Sequence, residues 1–304
     1  MPERGIRSTY SQCPVQIYMC DDSGIISTGT AFFFVFSGRW FLITNWHNIS
    51  GKHFLTKEPL SSSGRFPTYI KAKISRYLSR GEKQEKNTFT TVAERINIYA
   101  DFKPVWFEHP DIGSNCDIVA VPFERPDSCP EFMHNAANFI SDIRIPIEPG
   151  NTVFIIGFPQ SISVGFGLPV WKSGYIASEP HYPITLDGEL ADIGGMQKGI
   201  QLPAFFIDSQ TREGMSGAPI FSSYIGAWDT KEPYAKIDWT SPGFWSRDDV
   251  VLSGRGIEFI GCYSGRVGRK EEGASLGLCW GVKTIEQVCQ SRKVGTHPHV
   301  EFST

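Results

Sequence analysis

Three side chains of the sequence, an imidazole, a carboxylate and a hydroxyl, could together carry out nucleophilic chemistry. His47 follows the apolar run of residues 40–44, where a strand end would present it to a cleft. Asp117 precedes the apolar run 118–121, so its carboxylate must be capped, paired or turned to solvent. Taken alone, each has a plain structural explanation, because histidines after strands and aspartates in turns are common. Ser216 is the more specific signal.

The segment around Ser216 has the composition that an exposed nucleophile requires. Gly214 and Gly217 bracket Met215 and Ser216, and residues 214–219 read G-M-S-G-A-P. Glycines free the backbone of Cβ clashes, so successive N–H groups can point into one cavity. A hydroxyl beside such donors could attack a carbonyl while the donors stabilise the oxyanion that forms. A plain glycine-rich turn is the alternative, although this pattern is more specific than isolated glycines.

Length and composition indicate the elements that must hold these residues. The chain of 304 residues is long enough for about two core-forming units. Its 30 glycines and 20 prolines favour many turns and short strands over long helices. Short aromatic and β-branched runs recur through residues 1–124 and again through residues 151–281. We therefore predict two small β units, the first carrying His47 and Asp117 and the second carrying Ser216.

Two further segments depart from the strand pattern. Residues 125–150 are rich in proline and are predicted to connect the two units. In residues 282–304, the side chains of Val282, Ile285 and Cys289 share one face of a helix. This spacing predicts that the second unit is followed by a C-terminal helix and tail.

Charge and hydropathy exclude several classes of protein. The chain has 29 Lys and Arg against 32 Asp and Glu, so it lacks the basic field of a nucleic-acid binder. The longest uncharged stretch, residues 149–171, is interrupted by glycines and prolines, which argues against a membrane span. No apolar segment follows Arg4 and Arg7, so we expect no signal peptide and a cytoplasmic location. The seven cysteines show no C-x-x-C spacing, which favours free thiols over a metal site.

The motifs resemble those of trypsin/chymotrypsin-like serine peptidases, in particular the bacterial branch near HtrA-type and glutamyl-endopeptidase-type enzymes. Residues 29–32 (G-T-A-F) and 41–47 (F-L-I-T-N-W-H) match the family's histidine block. Residues 117–121 (D-I-V-A-V) match its aspartate block, and residues 214–219 match G-x-S-G-G-P with alanine at the second glycine. The order His, Asp, Ser also differs from that of subtilisins and α/β-hydrolases. The resemblance implies an all-β fold of two six-stranded antiparallel β-barrels with a C-terminal helix.

The resemblance also implies roles for individual residues. Ser216 would attack the scissile carbonyl, His47 would transfer the proton, and Asp117 would orient and stabilise the imidazole. The backbone N–H groups of Gly214 and Ser216 would form the oxyanion hole. The implied activity is that of a serine endopeptidase acting on a protein or peptide, without a cofactor and with any regulatory partner unidentified.

Substrate-binding residues are implied at two places. Gln210 and Thr211 would form the polar floor of the pocket for the side chain before the scissile bond. An extended peptide would pair with a strand edge formed by Tyr263, Ser264, Gly265 and Arg266. Ser264 matches a position that often supports the aspartate of the triad. Arg266 could favour acidic side chains, although an outward-pointing surface arginine is the simpler interpretation.

Departures from the family pattern leave alternatives open. Met215 stands where secreted trypsins carry an aspartate that pairs with a newly cut N-terminus, so we expect no activation by such cleavage. Residues 222–252 are rich in Trp, Pro and Asp and are predicted to form a lid or surface loop, which could block the cleft. A catalytically silent fold that binds peptides or a partner protein is therefore the main alternative. An esterase or acyl transferase using the same three residues is another.

Overall fold

The computed structural model describes residues 6, 8–79, 88–124, 132–141, 143–165, 167–186, 199–266 and 276–299. Strands dominate these ranges, which also contain the short helices α1 (Trp46–Ser50) and α2 (Val282–Ser291). The strands are β1 (Pro14–Asp21), β2 (Gly24–Phe36), β3 (Arg39–Thr44), β4 (Tyr69–Ser79), β5 (Thr88–Asn97), β6 (Tyr99–Ala100), β7 (Lys103–Pro104), β8 (Phe107–Glu108), β9 (Val119–Phe123), β10 (Thr152–Gly157), β11 (Val170–Ile176), β12 (Ile184–Leu186), β13 (Ile200–Leu202), β14 (Ala204–Asp208), β15 (Pro219–Asp229), β16 (Val250–Arg266), β17 (Leu276–Gly281) and β18 (Lys293–Val294). Neither α-helix combines the length and the apolar character that crossing a bilayer requires.

The N-terminal part of the chain forms an eight-stranded sheet, in the order β18-β8-β9-β3-β2-β1-β4-β5. Near the middle of this sheet, β2 carries the consecutive buried residues Phe32, Phe33 and Phe34. Such a continuous apolar run is typical of a strand covered on both faces. The turn from β2 to β3 places Ser37 at φ 48° and Gly38 at φ 74°, so both residues have the left-handed backbone that tight hairpins need.

The C-terminal part forms a closed six-stranded barrel, in the order β10-β11-β14-β17-β16-β15. Neighbouring strands are antiparallel throughout. Buried aliphatic side chains fill the barrel, among them Val153, Ile155, Ile207 and Ile220. The alternation of these side chains along β10 is the pattern expected of a strand with one face turned to a core.

The predicted all-β fold with a C-terminal helix is confirmed. The prediction that the first unit is a six-stranded barrel needs one correction. The second unit is the expected six-stranded barrel, whereas the first has eight strands in an order that runs from β18 to β5. The strands at the two ends of this sheet have identifiable origins. β4 and β5 form a long hairpin at one end of the sheet, and β18 arrives at the other end from the segment after α2.

The C-terminal segment packs against both units. Ile285, Val288 and Cys289 of α2 are fully buried, in agreement with the predicted apolar face. After the helix, β18 pairs with β8, and the Gly295 N–H donates to the Trp106 carbonyl at 2.9 Å. Residues 293–294 of the predicted tail therefore form a strand of the N-terminal sheet.

The segment 222–252 begins and ends in strand, which corrects the prediction of a loop over its whole length. The ladder between β15 and β16 runs from Pro219 paired with Cys262 out to Asp229 paired with Val250. Only residues 230–249 connect the two strands. Arg247 holds this connection together through ion pairs with Asp229 and, at 2.7 Å, with Asp249.

Candidate active site

His47 and Asp117 lie in direct contact. His47 is the second residue of α1, which follows β3 after Asn45. Its ring Nδ1 lies 2.7 Å from Asp117 Oδ2, and its backbone N–H donates to Asp117 Oδ1 at 2.9 Å. The Asn45 side-chain amide donates to the Asp117 carbonyl at 2.8 Å. One short segment therefore binds both carboxylate oxygens and the backbone of the aspartate.

The Asp117 carboxylate is fully buried, at 0% exposure. Burying a charge is costly unless hydrogen bonds and an opposite charge compensate for it. Here the Ser264 hydroxyl donates to Oδ2 in addition to the two donors from His47. The His47 side chain keeps 17% exposure. With Nδ1 directed at the carboxylate, Nε2 is the ring nitrogen left to exchange a proton with another group.

The turn that carries Ser216 depends on two glycines. Gly214 and Gly217 have φ values of 89° and 85°, which side chains with a Cβ rarely adopt. A Cβ at Gly217 would lie 2.0 Å from the Thr30 carbonyl oxygen, and one at Gly214 would lie 2.4 Å from the Phe158 oxygen. The turn is thus pressed against β2 and against the segment after β10.

Ser216 lies beside the helix that carries His47. Its carbonyl accepts a hydrogen bond from the Thr30 N–H at 2.9 Å and another from the Asn48 amide at 3.3 Å. Asn48 directly follows His47 and also donates to Thr44 Oγ1 at 3.0 Å. The Ser216 side chain is half-buried. Among the described residues, its hydroxyl has no hydrogen-bond partner.

The backbone around Ser216 leaves two donors free. The Glu213 carbonyl accepts from the Gln160 N–H at 2.6 Å, and the Gly214 carbonyl accepts from Thr30 Oγ1 at 2.7 Å. Within the described ranges, the N–H groups of Gly214 and Ser216 have no intramolecular acceptor. Without such an acceptor, both N–H groups are left to donate to a bound ligand.

The two residues predicted to form the pocket floor, Gln210 and Thr211, differ in their exposure to solvent. Gln210 is exposed, whereas Thr211 is buried and its hydroxyl meets the hydroxyl of Tyr263. Burial raises the pKa of Tyr263 above its ordinary value, so the phenol stays neutral. A Cβ at Gly277 would lie 2.6 Å from Tyr263 Cε2, so the ring packs tightly against that strand. Thr211 therefore contacts an aromatic side chain instead of forming an open polar floor.

The predicted strand edge is also shorter than expected. The Tyr263 N–H donates to the Ala218 carbonyl, and its carbonyl accepts from the Gly217 N–H, both at 2.9 Å. Its backbone is therefore already paired. Beyond it, Gly265 and Arg266 pair with β17 on one side and have no strand partner on the other within the described ranges. Ser264 is buried and bound to Asp117, and the side chain of Arg266 is exposed, as an outward-pointing arginine would be.

Cys129 lies outside the described residues, and the other six cysteines are buried free thiols. Cys262 lies next to the site, with its sulfur 3.8 Å from the Asn45 amide nitrogen. Burial raises the pKa of Cys116 and Cys262 well above the ordinary value. These thiols stay protonated and are poor nucleophiles. The described part of the chain shows no cluster of His, Cys, Asp and Glu suited to a metal ion.

Two positioning side chains were not singled out from the sequence. Thr30 contributes its backbone N–H and its hydroxyl to the Ser216 turn, and Asn48 joins that turn to α1. Thr30 lies within the motif of residues 29–32, and Asn48 directly follows the motif of residues 41–47. A polar residue in or beside a motif was therefore the only sequence feature that could have indicated them. Their partners are more than a hundred residues away in sequence, which no local pattern reveals.

Comparisons with known proteins find similarity at the level of structure alone. No protein-family model matches the sequence, and a search of curated proteins finds no match. The chain is similar to a solved structure of the Rv3671c protease of M. tuberculosis in an inactive form, at 13% identity and a TM-score of 0.42, covering 94% of this chain and 91% of that one. It is also similar to the serine endoprotease of Yersinia pestis, at 12% identity and a TM-score of 0.43, covering 94% and 67%.

A further similar structure is the HtrA-type protease AlgW with a tripeptide, at 13% identity and a TM-score of 0.43, covering 92% of this chain and 60% of that one. One of these solved structures is described as a serine endoprotease and another as an HtrA-type protease. Similarity at this level does not assign an activity, so the function has to be argued from the site.

Proposed function

We propose that this chain is a serine endopeptidase in which Ser216, His47 and Asp117 form the catalytic triad. The observation that carries the proposal is the double contact of His47, through its ring and its backbone N–H, with the buried carboxylate of Asp117. That contact orients the imidazole and compensates the positive charge it would gain.

The proposed reaction assigns a task to each neighbouring group. His47 accepts the proton of Ser216 as the hydroxyl oxygen attacks the carbonyl carbon, and then delivers it to the leaving amine. The free N–H groups of Gly214 and Ser216 donate to the oxyanion of the tetrahedral intermediate. Water then attacks the acyl-enzyme by the same route. The open edge of β16 after Tyr263 is where an extended substrate would pair.

Labelling with a fluorophosphonate tests the proposal. We expect the wild type to be labelled and Ser216→Ala to remain unlabelled, because only an activated serine reacts with this probe at an appreciable rate. The variant Ser63→Ala, which changes an exposed serine, should label like the wild type. A folded wild type that resists labelling would contradict the proposal.

Comparing ester with amide turnover separates a peptidase from an esterase, because amide cleavage also needs the leaving nitrogen protonated.

A catalytically silent binding module is the second candidate. The observation that favours it is the Ser216 hydroxyl, which has no hydrogen-bond partner among the described residues. In such a module, the open edge of β16 would hold a peptide without cutting it. Peptide binding by a folded protein that no fluorophosphonate labels would support this candidate.

The geometry also leads us to expect a preference for small side chains before the scissile bond. A peptide paired with the edge after Tyr263, with its carbonyl at the Ser216 turn, would direct that side chain toward Thr211 and Tyr263. The aromatic ring is backed by Gly277 and cannot recede. Adding bulk to a filled space typically costs 1–3 kcal/mol, so we expect roughly tenfold or greater discrimination.

Peptidyl phosphonates that differ only in ending with alanine or phenylalanine measure this preference. The wild type should react faster with the alanine probe, and Tyr263→Ala should gain reactivity toward the phenylalanine probe. Tyr263→Phe, which keeps the ring, should retain the wild-type order. Equal rates of the two probes on the wild type would contradict the expectation.

A further inference from the structure

A buried cluster of polar contacts lies next to the His47–Asp117 pair. Trp46, the first residue of α1, donates its indole N–H to Glu108 Oε1 at 2.9 Å. The indole of Trp106 donates to the same oxygen at 3.1 Å. Glu108 is buried, so these bonds compensate a carboxylate that has left water. The helix that carries His47 is thereby anchored at its first residue.

Lys57 joins this cluster to the segment that carries Asp117. Its ammonium group lies 4.5 Å from the centroid of the Trp46 ring, within the range of a cation–π interaction. The same Nζ donates to the Phe54 carbonyl at 2.5 Å and to the Ser114 carbonyl at 2.8 Å. Ser114 lies three residues before Asp117 in the sequence. One half-buried cation therefore contacts its own loop, the His47 helix and the Asp117 segment.

The backbone of Lys57 has an unusual conformation. Its φ is 59°, a left-handed conformation that is uncommon for a residue with a side chain. Its N–H donates to the His53 carbonyl at 2.8 Å and closes a tight turn directly after α1. Backbone conformations of this kind persist where the surrounding contacts determine them.

We propose that Lys57 is a positioning residue, whose ammonium group fixes the His47 helix relative to the Asp117 segment in the geometry needed for proton transfer. The inference rests on the proposed function and extends it. An ammonium group has three donors and a full charge, so it can hold two carbonyls and an aromatic face at once. A neutral amine keeps weaker hydrogen bonds and loses the attraction to the ring.

The positioning should depend on pH. Burial lowers the pKa of Lys57 to about 8, while the charges of Asp117 and Glu108 oppose this shift and Lys52 adds to it. His53, whose carbonyl accepts from the Lys57 N–H, is a further titratable residue of this turn, and burial lowers its pKa. Glu58 follows Lys57 directly in the sequence and is a further charged neighbour. Below this pKa the ammonium form is present. As pH rises through it, the charge is lost, and the rate of reaction at Ser216 should fall.

The experiment measures the rate of Ser216 phosphonylation by a fluorophosphonate between about pH 6.5 and 9.5 in three variants. Lys57→Met should react at least about tenfold more slowly near neutral pH, since small displacements of catalytic groups can cost about a hundredfold. The substitution should lower the maximal rate of phosphonylation and leave the affinity for the probe unchanged. Lys57→Arg keeps the charge at every pH tested, so it should rescue the neutral rate and remove the decline above pH 8. Lys283→Met, which changes an exposed lysine of α2, is the matched control and should behave as the wild type.

Two outcomes would overturn the inference. One is Lys57→Met reacting at the wild-type rate, and the other is Lys57→Arg keeping the wild-type decline at high pH. The second remains decisive if Lys57→Met fails to fold. A wild type that is never labelled would instead refute the proposed function. In that case the low-field NMR signal of the His47 Nδ1 proton still tests the positioning, because the signal should weaken in Lys57→Met and return in Lys57→Arg.

Discussion

Replacing Asp117 by asparagine should lower the rate of reaction at Ser216 by about 10,000-fold while leaving the protein folded. An amide at this position offers one acceptor oxygen, whereas the carboxylate accepts from the His47 ring, from the His47 N–H and from Ser264. The imidazole would then be free to adopt the wrong tautomer, with its Nε2 protonated and unable to act as a base.

The phosphonylation rate with a fluorophosphonate checks this prediction without knowledge of the natural substrate. Asp22→Asn is a suitable control, because Asp22 is an exposed turn residue. It should leave the rate unchanged. A rate within tenfold of the wild type in Asp117→Asn would mean that the buried contact serves structure alone.

Replacing Gly217 by alanine should lower the free energy of unfolding by about 3 kcal/mol. The new Cβ would lie 2.0 Å from the Thr30 carbonyl oxygen and 2.5 Å from Thr44 Oγ1, at a φ of 85°. Left-handed strain costs about 1–2 kcal/mol, and overpacking adds about 1–3 kcal/mol. The packed β2 backbone cannot give way as a flexible side chain could.

Urea denaturation of Gly217→Ala and Gly38→Ala measures the two costs separately. Gly38 has a similar φ of 74°, but a Cβ there would meet nothing within 4 Å. We expect Gly38→Ala to lose only about 1 kcal/mol, from backbone strain. Equal losses in the two variants would show that the contact with β2 is not tight.

The sequence motifs led to the central part of this site, since each motif is a local pattern. The resemblance paired His47 with Asp117 across 70 residues, and the structure brings the two into hydrogen-bond contact. Gly214 and Gly217 were singled out for their backbone freedom, and both have positive φ values. In each case the residue type itself restricts what the chain can do.

Contacts that depend on the packing of distant segments could not be predicted in the same way. The pairing of Thr211 with Tyr263 joins residues 52 positions apart, so a threonine expected at an open floor became part of a filled space. No sequence motif includes Lys57, and only the fold brings it over Trp46 and beside Ser114. The number of strands in the N-terminal sheet likewise depended on β18, which the sequence places beyond the C-terminal helix.

The pairing of β18 with β8 has a consequence for synthesis of the protein on the ribosome. Trp106 and Glu108 lie at the sheet edge that this late strand covers, and both take part in anchoring the His47 helix. A nascent chain lacking residues 293–295 would leave this edge unpaired, however completely the earlier strands had folded. The contacts that anchor the His47 helix through Trp46 are therefore completed only after residues 293–295 have been synthesised, so a growing polypeptide would gain a finished site later than the earlier strands of the sheet.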